Sequence, residues 1–327
     1  MKKRFGLTIF LCAIFLFFLS IISIFYGAVR FSFDEILNAI FDENSSARKI
    51  VFFVRFPRLF AAILCGSALS VSGALIQIVL QNPLGSPNVL GMNAGAGLCV
   101  VVCAYFLTNP LSFPLAAFFG AFITLLLVCA LGKKAGNLSS HSVLLSGVAA
   151  NAFFCALTDG VNAIFPDTIY SRSAFRIGSL SGVQMNSIIP AAIVIFCAIF
   201  FSILISPALD VLLLGDEQSK SLGLNANRTR FFALVLSSLL CGASVSFAGL
   251  LGFVGLIVPH SARLLFGGKC SNLLILSAFL GANLVLFCDF FSRTAFSPYE
   301  LPVGVILSLL GGIFFFYLLV KNRKAGK

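Results

Sequence analysis

Charged residues are scarce in this sequence, and their scarcity argues against a soluble domain. Only 10% of the 327 residues are charged and 59% are hydrophobic, whereas a soluble protein usually has about 25% charged residues. Apolar runs of about 20 residues, the length that crosses the hydrocarbon core of a bilayer, recur along the whole chain. The longest polar or mixed segment, 28–57, is too short to bury a core of its own. The sequence therefore predicts an all-α integral membrane protein.

Motifs for phosphate binding, metal binding and catalysis are also missing. The chain has no G-x-x-x-x-G-K-[ST] loop to hold ATP phosphates, no H-E-x-x-H motif, and no paired-acid or Ser-plus-base pattern. Nine of its ten cysteines lie within apolar runs and none forms a C-x-x-C pair, so we interpret them as packing residues rather than disulfides or metal ligands. We predict no catalytic residue, no bound cofactor and no metal site in this chain.

Ten apolar segments are candidate membrane spans. They lie at about 5–27, 58–80, 89–107, 113–132, 143–165, 188–206, 231–251, 253–267, 273–292 and 302–320. The first is too long for the apolar region of a signal peptide and has no A-x-A cleavage pattern, and the eighth is short and contains Pro259. An even number of spans predicts that both termini lie on the same side of the membrane.

The distribution of charge indicates which side that is. With the N-terminus inside, the inside segments hold fourteen basic and three acidic residues, and the outside segments hold eight of each. The whole net charge of +11 then falls inside, as the positive-inside rule requires. The basic residues are scattered over many loops and form no single patch, so nucleic-acid binding is the poorer explanation.

A short internal repeat predicts two halves of opposite orientation. Residues 65–75 read CGSALSVSGAL and residues 241–251 read CGASVSFAGLL, 176 positions later. An odd number of spans, five, separates the copies, so the chain is a single domain of two inverted five-helix halves at approximately 1–180 and 181–327. Such halves are common in transporters. The alternative is chance similarity, because small residues are enriched wherever membrane helices pack closely.

Three segments carry a resemblance to a known family. Arg55–Gly91 reads RFPRLFAAILCGSALSVSGALIQIVLQNPLGSPNVLG, Gly249–Arg263 reads GLLGFVGLIVPHSAR, and Asp289–Gly312 reads DFFSRTAFSPYELPVGVILSLLGG. In this order they closely resemble the FecCD family of ABC importer permeases, which import iron–siderophore complexes, haem and vitamin B12. The chain departs from the family where Gly85 and Ser86 replace the more frequent Ala and Asp.

The resemblance implies an assembly and a location. The permease would form a homodimer, or a heterodimer with a second permease, in the bacterial inner membrane, with both termini cytoplasmic. Two separate ATPase subunits, which bind ATP and Mg²⁺, would lie below it, and a periplasmic or lipid-anchored substrate-binding protein would dock above. The expected solute is a ferric siderophore, with haem or vitamin B12 as alternatives. An ion-coupled secondary transporter is the alternative from another class, although it would more often show broken helices with buried acids.

The inside loop 207–230 resembles the coupling segment that contacts the ATPase in this family. We predict a short helix, Asp216–Leu222, with Asp216 as N-cap, Glu217 in the first turn and Gly223 as the left-handed residue after its end. Repeated L-G pairs flank this helix at Leu214–Gly215 and Leu222–Gly223. An ordinary amphipathic loop is the alternative.

Three arginines at the outer face are candidates for docking the binding protein. Arg55 and Arg58 lie at the outer end of span 2, and Arg293 lies just past span 9. Exposed arginines form bidentate pairs with carboxylates, and family members use matching arginines to hold glutamates of the binding protein. The alternatives are anchoring to lipid headgroups and, for Arg293, pairing with Asp289 four residues earlier on the same helix.

The remaining candidates concern the pathway. The family match assigns Ser140 and His141, in the inside loop 132–142, to the cytoplasmic gate. Asp159 is the one acid that we expect deep enough in a span to be functional, because intramembrane charges usually are. No other strongly polar line runs through the spans, which is typical of a channel for a bulky solute and not of a small-ion channel with rings of charge.

Overall fold

The computed structural model describes residues 2–27, 31–42, 45–106, 112–134, 140–165, 175–297 and 299–325. Regular structure within these ranges is helical. The helices are α1 (Lys2–Phe25), α2 (Phe33–Phe41), α3 (Ser46–Ile50), a π-helical turn (Val51–Arg55), α4 (Phe56–Val79), α5 (Met92–Phe106), α6 (Ser112–Lys134), α7 (Ser140–Ile164), α8 (Met185–Leu204), α9 (Ser206–Leu212), α10 (Asp216–Ser221), α11 (Ala226–Ala248), α12 (Val254–Leu265), α13 (Cys270–Thr294) and α14 (Val303–Ala325).

Each of the ten predicted spans coincides with one apolar helix. Seven helical segments of the described chain are long and apolar enough to cross a membrane, and α5, α12 and the apolar part of α14 are shorter. The short eighth span is α12, which contains Pro259 as predicted. The all-α fold with ten membrane helices is therefore confirmed.

The predicted start of span 2 at residue 58 is wrong. The helix is continuous from Ser46 to Val79, because α3 runs through the π-helical turn into α4. Phe56 N–H bonds the carbonyl of Val51 in this wider turn. Pro57 lacks an N–H and its ring crowds the carbonyl four residues earlier. A widened turn directly before the proline allows the helix to continue instead of breaking.

Small residues bring α4 and α13 into close contact at the centre of the bundle. A Cβ atom on Gly66 would lie 2.2 Å from the carbonyl oxygen of Gly281. Ser70 Oγ donates to the carbonyl of Ser277 at 2.7 Å, and Ser67 Oγ donates to that of Ala278 at 3.1 Å. Membrane helices associate through this kind of close backbone approach and interhelical hydrogen bonding.

The second copy of the repeat packs in the corresponding way. Gly242 of α11 contacts α6, where a Cβ atom would lie 2.7 Å from the Cα of Phe118. Span 2 thus packs on span 9, and span 7 packs on span 4. Because span 7 corresponds to span 2 and span 4 corresponds to span 9, the same helix contact occurs in both halves. The two helices that carry the copies, α4 and α11, also contact each other, since Ser72 Oγ lies 2.7 Å from Ser237 Oγ. This matched packing supports the inverted plan, and the boundaries 1–180 and 181–327 stay a prediction.

The close approach at Gly66 predicts a specific sensitivity. Gly66→Ala should lower the free energy of unfolding by about 1–3 kcal/mol, because its methyl group has no space against the backbone of α13. Gly160→Ala in α7 is the matched control, since no atom lies within 4 Å of its added Cβ and alanine is the better helix former. Unfolding in detergent micelles measures both, and equal stability of the two variants would contradict the packing.

Candidate functional sites

The N-terminal end of α4 and the C-terminal end of α13, which are predicted to face outside and are called the outer ends below, are joined by buried charges. Arg58 Nε donates to Asp289 Oδ1 at 2.8 Å, and Arg58 Nη1 donates to Glu300 Oε2 at 2.7 Å. Arg58 is 4% exposed and Asp289 is fully buried, whereas the Glu300 side chain is about one-third exposed. Arg58 therefore connects an acid in the protein interior with an acid at the surface.

The other two arginines point toward the end of α1. Arg293 Nε lies 3.1 Å from Asp289 Oδ2, close enough for an ion pair but not aligned for a hydrogen bond. Arg293 Nη2 also donates to the hydroxyl of Ser23. Arg55 Nη1 donates to the carbonyl of Ile24, and its guanidinium lies 4.5 Å from the ring centroid of Phe31. The last carbonyls of a helix carry partial negative charge, which favours cations there.

These contacts correct two of the predictions. The expectation of exposed arginines is wrong, because Arg55, Arg58 and Arg293 are each 5% exposed or less. The alternative pairing of Arg293 with Asp289 is confirmed. Asp159 is also not the one acid of a predicted span that needs a functional or structural account, because Asp289 lies within span 9 and is fully buried. The sequence signal was present, since Asp289 interrupts an apolar run, but its partner Arg58 lies 231 residues away. The docking role of the arginines stays a prediction.

The predicted coupling helix exists with slightly different bounds. It is α10, Asp216–Ser221, and its N-cap is Gly215 at φ +104° rather than Asp216. Gly223 has φ +78°, and its N–H bonds the carbonyl of Lys220 at 2.9 Å while that of Leu224 bonds the carbonyl of Ser219 at 2.9 Å. These two bonds form a Schellman motif, which confirms the predicted left-handed position of Gly223.

The segment that carries α10 is held on the bundle by polar contacts. Asp210 Oδ1 accepts from Cys270 N–H, the first residue of α13, at 2.6 Å. Gln81 Nε2, just beyond α4, donates to the carbonyl of Leu212 at 3.2 Å. Leu214 and Leu222 project outward, 53% and 64% exposed. The segment is therefore attached to the helices that hold the outer charges, a connection that spacing along the sequence does not reveal.

A groove opens on the side of the bundle among α5, α7, α12 and α14. Its volume is about 580 Å³, and its polar lining consists of Asn88, Asn93, Asn151, Arg176 and Ser308. A small adjoining cavity of about 20 Å³ is lined in part by Asp159 and also by Arg176. Asp159 Oδ1 accepts from Arg176 Nη1 at 2.6 Å, and the two side chains are 47% and 62% exposed. Asp159 thus lies beside a groove with a cation that sequence analysis missed.

The predicted gate residues lie at the start of a helix. The inside loop is shorter than 132–142, because α6 continues to Lys134 and α7 begins at Ser140. Ser140 and His141 therefore occupy the first turn of α7, and residues 135–139 and both side chains lie outside the described part of the structure. Their role in gating stays a prediction.

Removal of the acid that the buried arginines share should destabilise the protein strongly. Asp289→Ala leaves Arg58 and Arg293 in the interior without their shared partner, which should lower the free energy of unfolding by about 3 kcal/mol or more. Asp159→Ala breaks an exposed pair and should change it by less than about 1 kcal/mol. Thermal unfolding in detergent compares the two variants. A loss from Asp289→Ala no larger than that from Asp159→Ala would show that the cluster does not hold the helices together.

The chain is similar to known transport proteins over almost its whole length. Residues 14–321 match the FecCD transport family. The chain is 35% identical over 323 residues to the Fe(3+)-citrate import system permease protein YfmE of Bacillus subtilis, covering 97% of this chain and 96% of that protein. It is 35% identical over 307 residues to the hemin transport system permease protein HmuU of Yersinia pestis, covering 91% and 90%.

A solved structure has the same fold. An ABC transporter assigned to the metal-chelate type, in an inward-facing conformation, superposes with a TM-score of 0.84 at 25% identity. The superposition covers 97% of this chain and 99% of the other. With ten membrane helices and a family match along almost its whole length, this chain is a multi-pass membrane permease that belongs to the FecCD transport family.

Proposed function

We propose that this chain is the channel-forming subunit of an ABC importer and carries a ferric siderophore-type chelate inward, driven by separate ATPase subunits. The observation that carries the proposal is the α4–α13 pair. Its outer end holds the buried arginines, and its inner end is attached through Gln81 and Asp210 to the segment of α10. A closely packed helix pair that joins the two faces is what an importer needs if docking above and ATP hydrolysis below are to be coupled.

The solute is inferred from the relatives and from the groove. One relative is named for ferric citrate and another for hemin, so a metal chelate is the class that they share. The groove is roomy and mostly neutral, which suits a bulky solute better than a small ion guided by rings of charge. Haem and vitamin B12 are the alternatives within this class.

An ion-coupled secondary transporter fits the structure less well. Such a transporter needs an intramembrane acid that can bind and release its coupling ion. Asp289 is the buried acid of the described helices, and its carboxylate is occupied by Arg58 at 2.8 Å and Arg293 at 3.1 Å. Asp159 is about half exposed and is paired with Arg176. Neither is positioned as a free ion-binding carboxylate.

The proposed assembly follows the sequence prediction. It contains two permease chains, either identical or different, two ATP-binding subunits with their ATP and Mg²⁺, and a periplasmic or lipid-anchored binding protein. The location is the bacterial inner membrane, with both termini in the cytoplasm. The support for this orientation is the distribution of Lys and Arg, fourteen of which fall in the segments predicted inside and eight in those predicted outside, because the positive-inside rule places the richer side in the cytoplasm.

Docking of the binding protein would involve the arginines of the outer end as buried residues, not as the exposed residues that the sequence predicted. Arg58 and Arg293 are buried and paired with Asp289 in the isolated chain, so a glutamate of the binding protein has to approach through the surface that Glu300 covers. Arg55 is a candidate for direct capture, because it lies at the same end of the helix pair and its guanidinium contacts the carbonyl of Ile24 and the ring of Phe31. Charge pairs of this kind orient a partner more than they add affinity.

Reconstitution of the complete importer tests the proposed function. Liposomes containing the permease and its ATPase should import a ferric chelate when ATP and the binding protein are supplied, and ATP hydrolysis should rise when the binding protein is added. Transport without ATP, driven by an ion gradient, would refute the proposal. In the same liposomes, Arg55→Gln should weaken the stimulation by the binding protein while basal hydrolysis stays. Unchanged stimulation would rule out Arg55 as a docking residue.

The coupling role of α10 generates a separate prediction. Gly223→Val forces a β-branched residue into φ +78°, a strain of about 1–2 kcal/mol, and should shift the end of α10. Import should fall about tenfold or more relative to the ATP hydrolysed. Gly182→Val is the matched control, since Gly182 also has positive φ (+73°) and free space around it but lies outside loop 207–230. Normal import and stimulated hydrolysis by Gly223→Val would exclude coupling through this helix.

A further inference from the structure

The groove contains hydrogen-bonding groups that the protein itself does not use. In the described part of the chain, no hydrogen bond engages the side-chain amide of Asn88 or Asn151, both of which line the groove. Asn93 differs, because its amide donates to the carbonyl of Leu251 at 3.0 Å and its Oδ1 accepts from Cys241 Sγ at 2.8 Å. The amides of Asn88 and Asn151 are therefore available to a solute, whereas the amide of Asn93 already forms hydrogen bonds within the wall of the groove.

The charge that faces the groove is positive. Arg176 lines both the groove and the small adjoining cavity, whereas Asp159 lines the small cavity alone. Their ion pair uses Nη1 of the guanidinium, and both side chains are substantially exposed. A pair this exposed contributes about 1 kcal/mol or less. Arg176 can therefore exchange Asp159 for an anionic oxygen at small cost, and its planar group can bind a carboxylate through two hydrogen bonds.

The remaining wall of the groove is apolar and firmly held. Phe253, which begins the entry into α12, has φ +65°, a left-handed conformation that is uncommon for a bulky residue. Its ring packs directly on Gly311 of α14, where a Cβ atom would lie 2.1 Å from Phe253 Cγ. Leu250 and Leu309 complete this wall. Strained residues that the surrounding structure holds in place often occur at ligand sites, and about 580 Å³ is within the range of small-molecule sites.

From this arrangement we propose that Arg176, with the amides of Asn88 and Asn151, binds anionic oxygens of the solute during its passage. The transported chelate then belongs to the class that carries carboxylates or comparable anionic oxygens, and a chelate without them is a poor substrate. This inference rests on the proposed import function and names its substrate class. Asp159 acts as the resting partner that holds Arg176 in place until the solute arrives.

Equilibrium dialysis of the full chain in lipid nanodiscs tests the site directly. The probes are iron(III) citrate, which is anionic and carries carboxylates, and tris(acetohydroxamato)iron(III), which is neutral and has no carboxylate or phosphate. Wild-type protein should retain iron(III) citrate in a saturable way and the neutral chelate no more than empty nanodiscs do. Arg176→Gln should weaken retention of iron(III) citrate about tenfold or more, since a charge-assisted pair is lost. Arg176→Lys keeps the charge but loses the planar pair of donors, so it should weaken retention less than Arg176→Gln does. Asp159→Asn should bind more tightly.

Arg228→Gln is the matched control, because it removes one exposed positive charge at the start of α11, away from the groove. It should bind iron(III) citrate as the wild type does. Absence of saturable retention by the wild type, equal retention by Arg176→Gln, or preferential retention of the neutral chelate would each overturn the inference. ATP-driven import with binding that does not depend on Arg176 would refute this inference alone. Arg176-dependent binding without any ATP-driven import would refute the proposed function alone.

Discussion

The ion pair between Arg58 and Asp289 is the interaction on which the arrangement of this permease depends. Removing charges from water is unfavourable unless they are paired closely, and a buried charge that loses its partner is strongly destabilising. The pair therefore determines how far α4 and α13 can slide along each other. Lower in the same interface, Gly66 and Gly281 let the two backbones touch, and a contact this close tolerates little shift. The ionic end and the glycine contact together define one register for the two central helices.

Other functional parts are positioned by this helix pair. The C-terminal turn of α1 is drawn to it through Arg55 and Arg293. At the opposite end, Asp210 accepts a hydrogen bond from the first residue of α13, so the segment that precedes α10 follows any movement of that helix. The groove lies to one side, between other helices. In the proposed function, the solute therefore passes along one surface of the bundle, and the connection between the two faces uses another.

Much of this fold can be predicted from the sequence because membrane helices are defined by local properties. The length of the apolar runs located the spans. The position of Gly223 could be predicted because the residue after a helix end often has positive φ, which glycine adopts most easily. The N-cap at Gly215 and the helical start at Ser46 were missed, since a glycine with φ +104° and a π-helical turn leave no clear local pattern. The burial of Arg58 was missed for a different reason. An arginine at the end of an apolar run is expected at the membrane–water interface unless its distant partner, here Asp289, is known. Arg176 escaped notice because the segment around it has no periodicity.

The π-helical turn has a consequence for how this chain can vary. A π-helical turn holds one residue more than regular α-helix would, and each residue rotates a helix by roughly 100°. The turn at Val51–Arg55 therefore acts as a phase shift between the outer segment and the membrane helix that follows it. An inserted or deleted residue before the turn rotates the preceding segment about the helix axis, while the packed face of α4 keeps its orientation. The turn thus sets the rotational position of α3 relative to the packed face of α4.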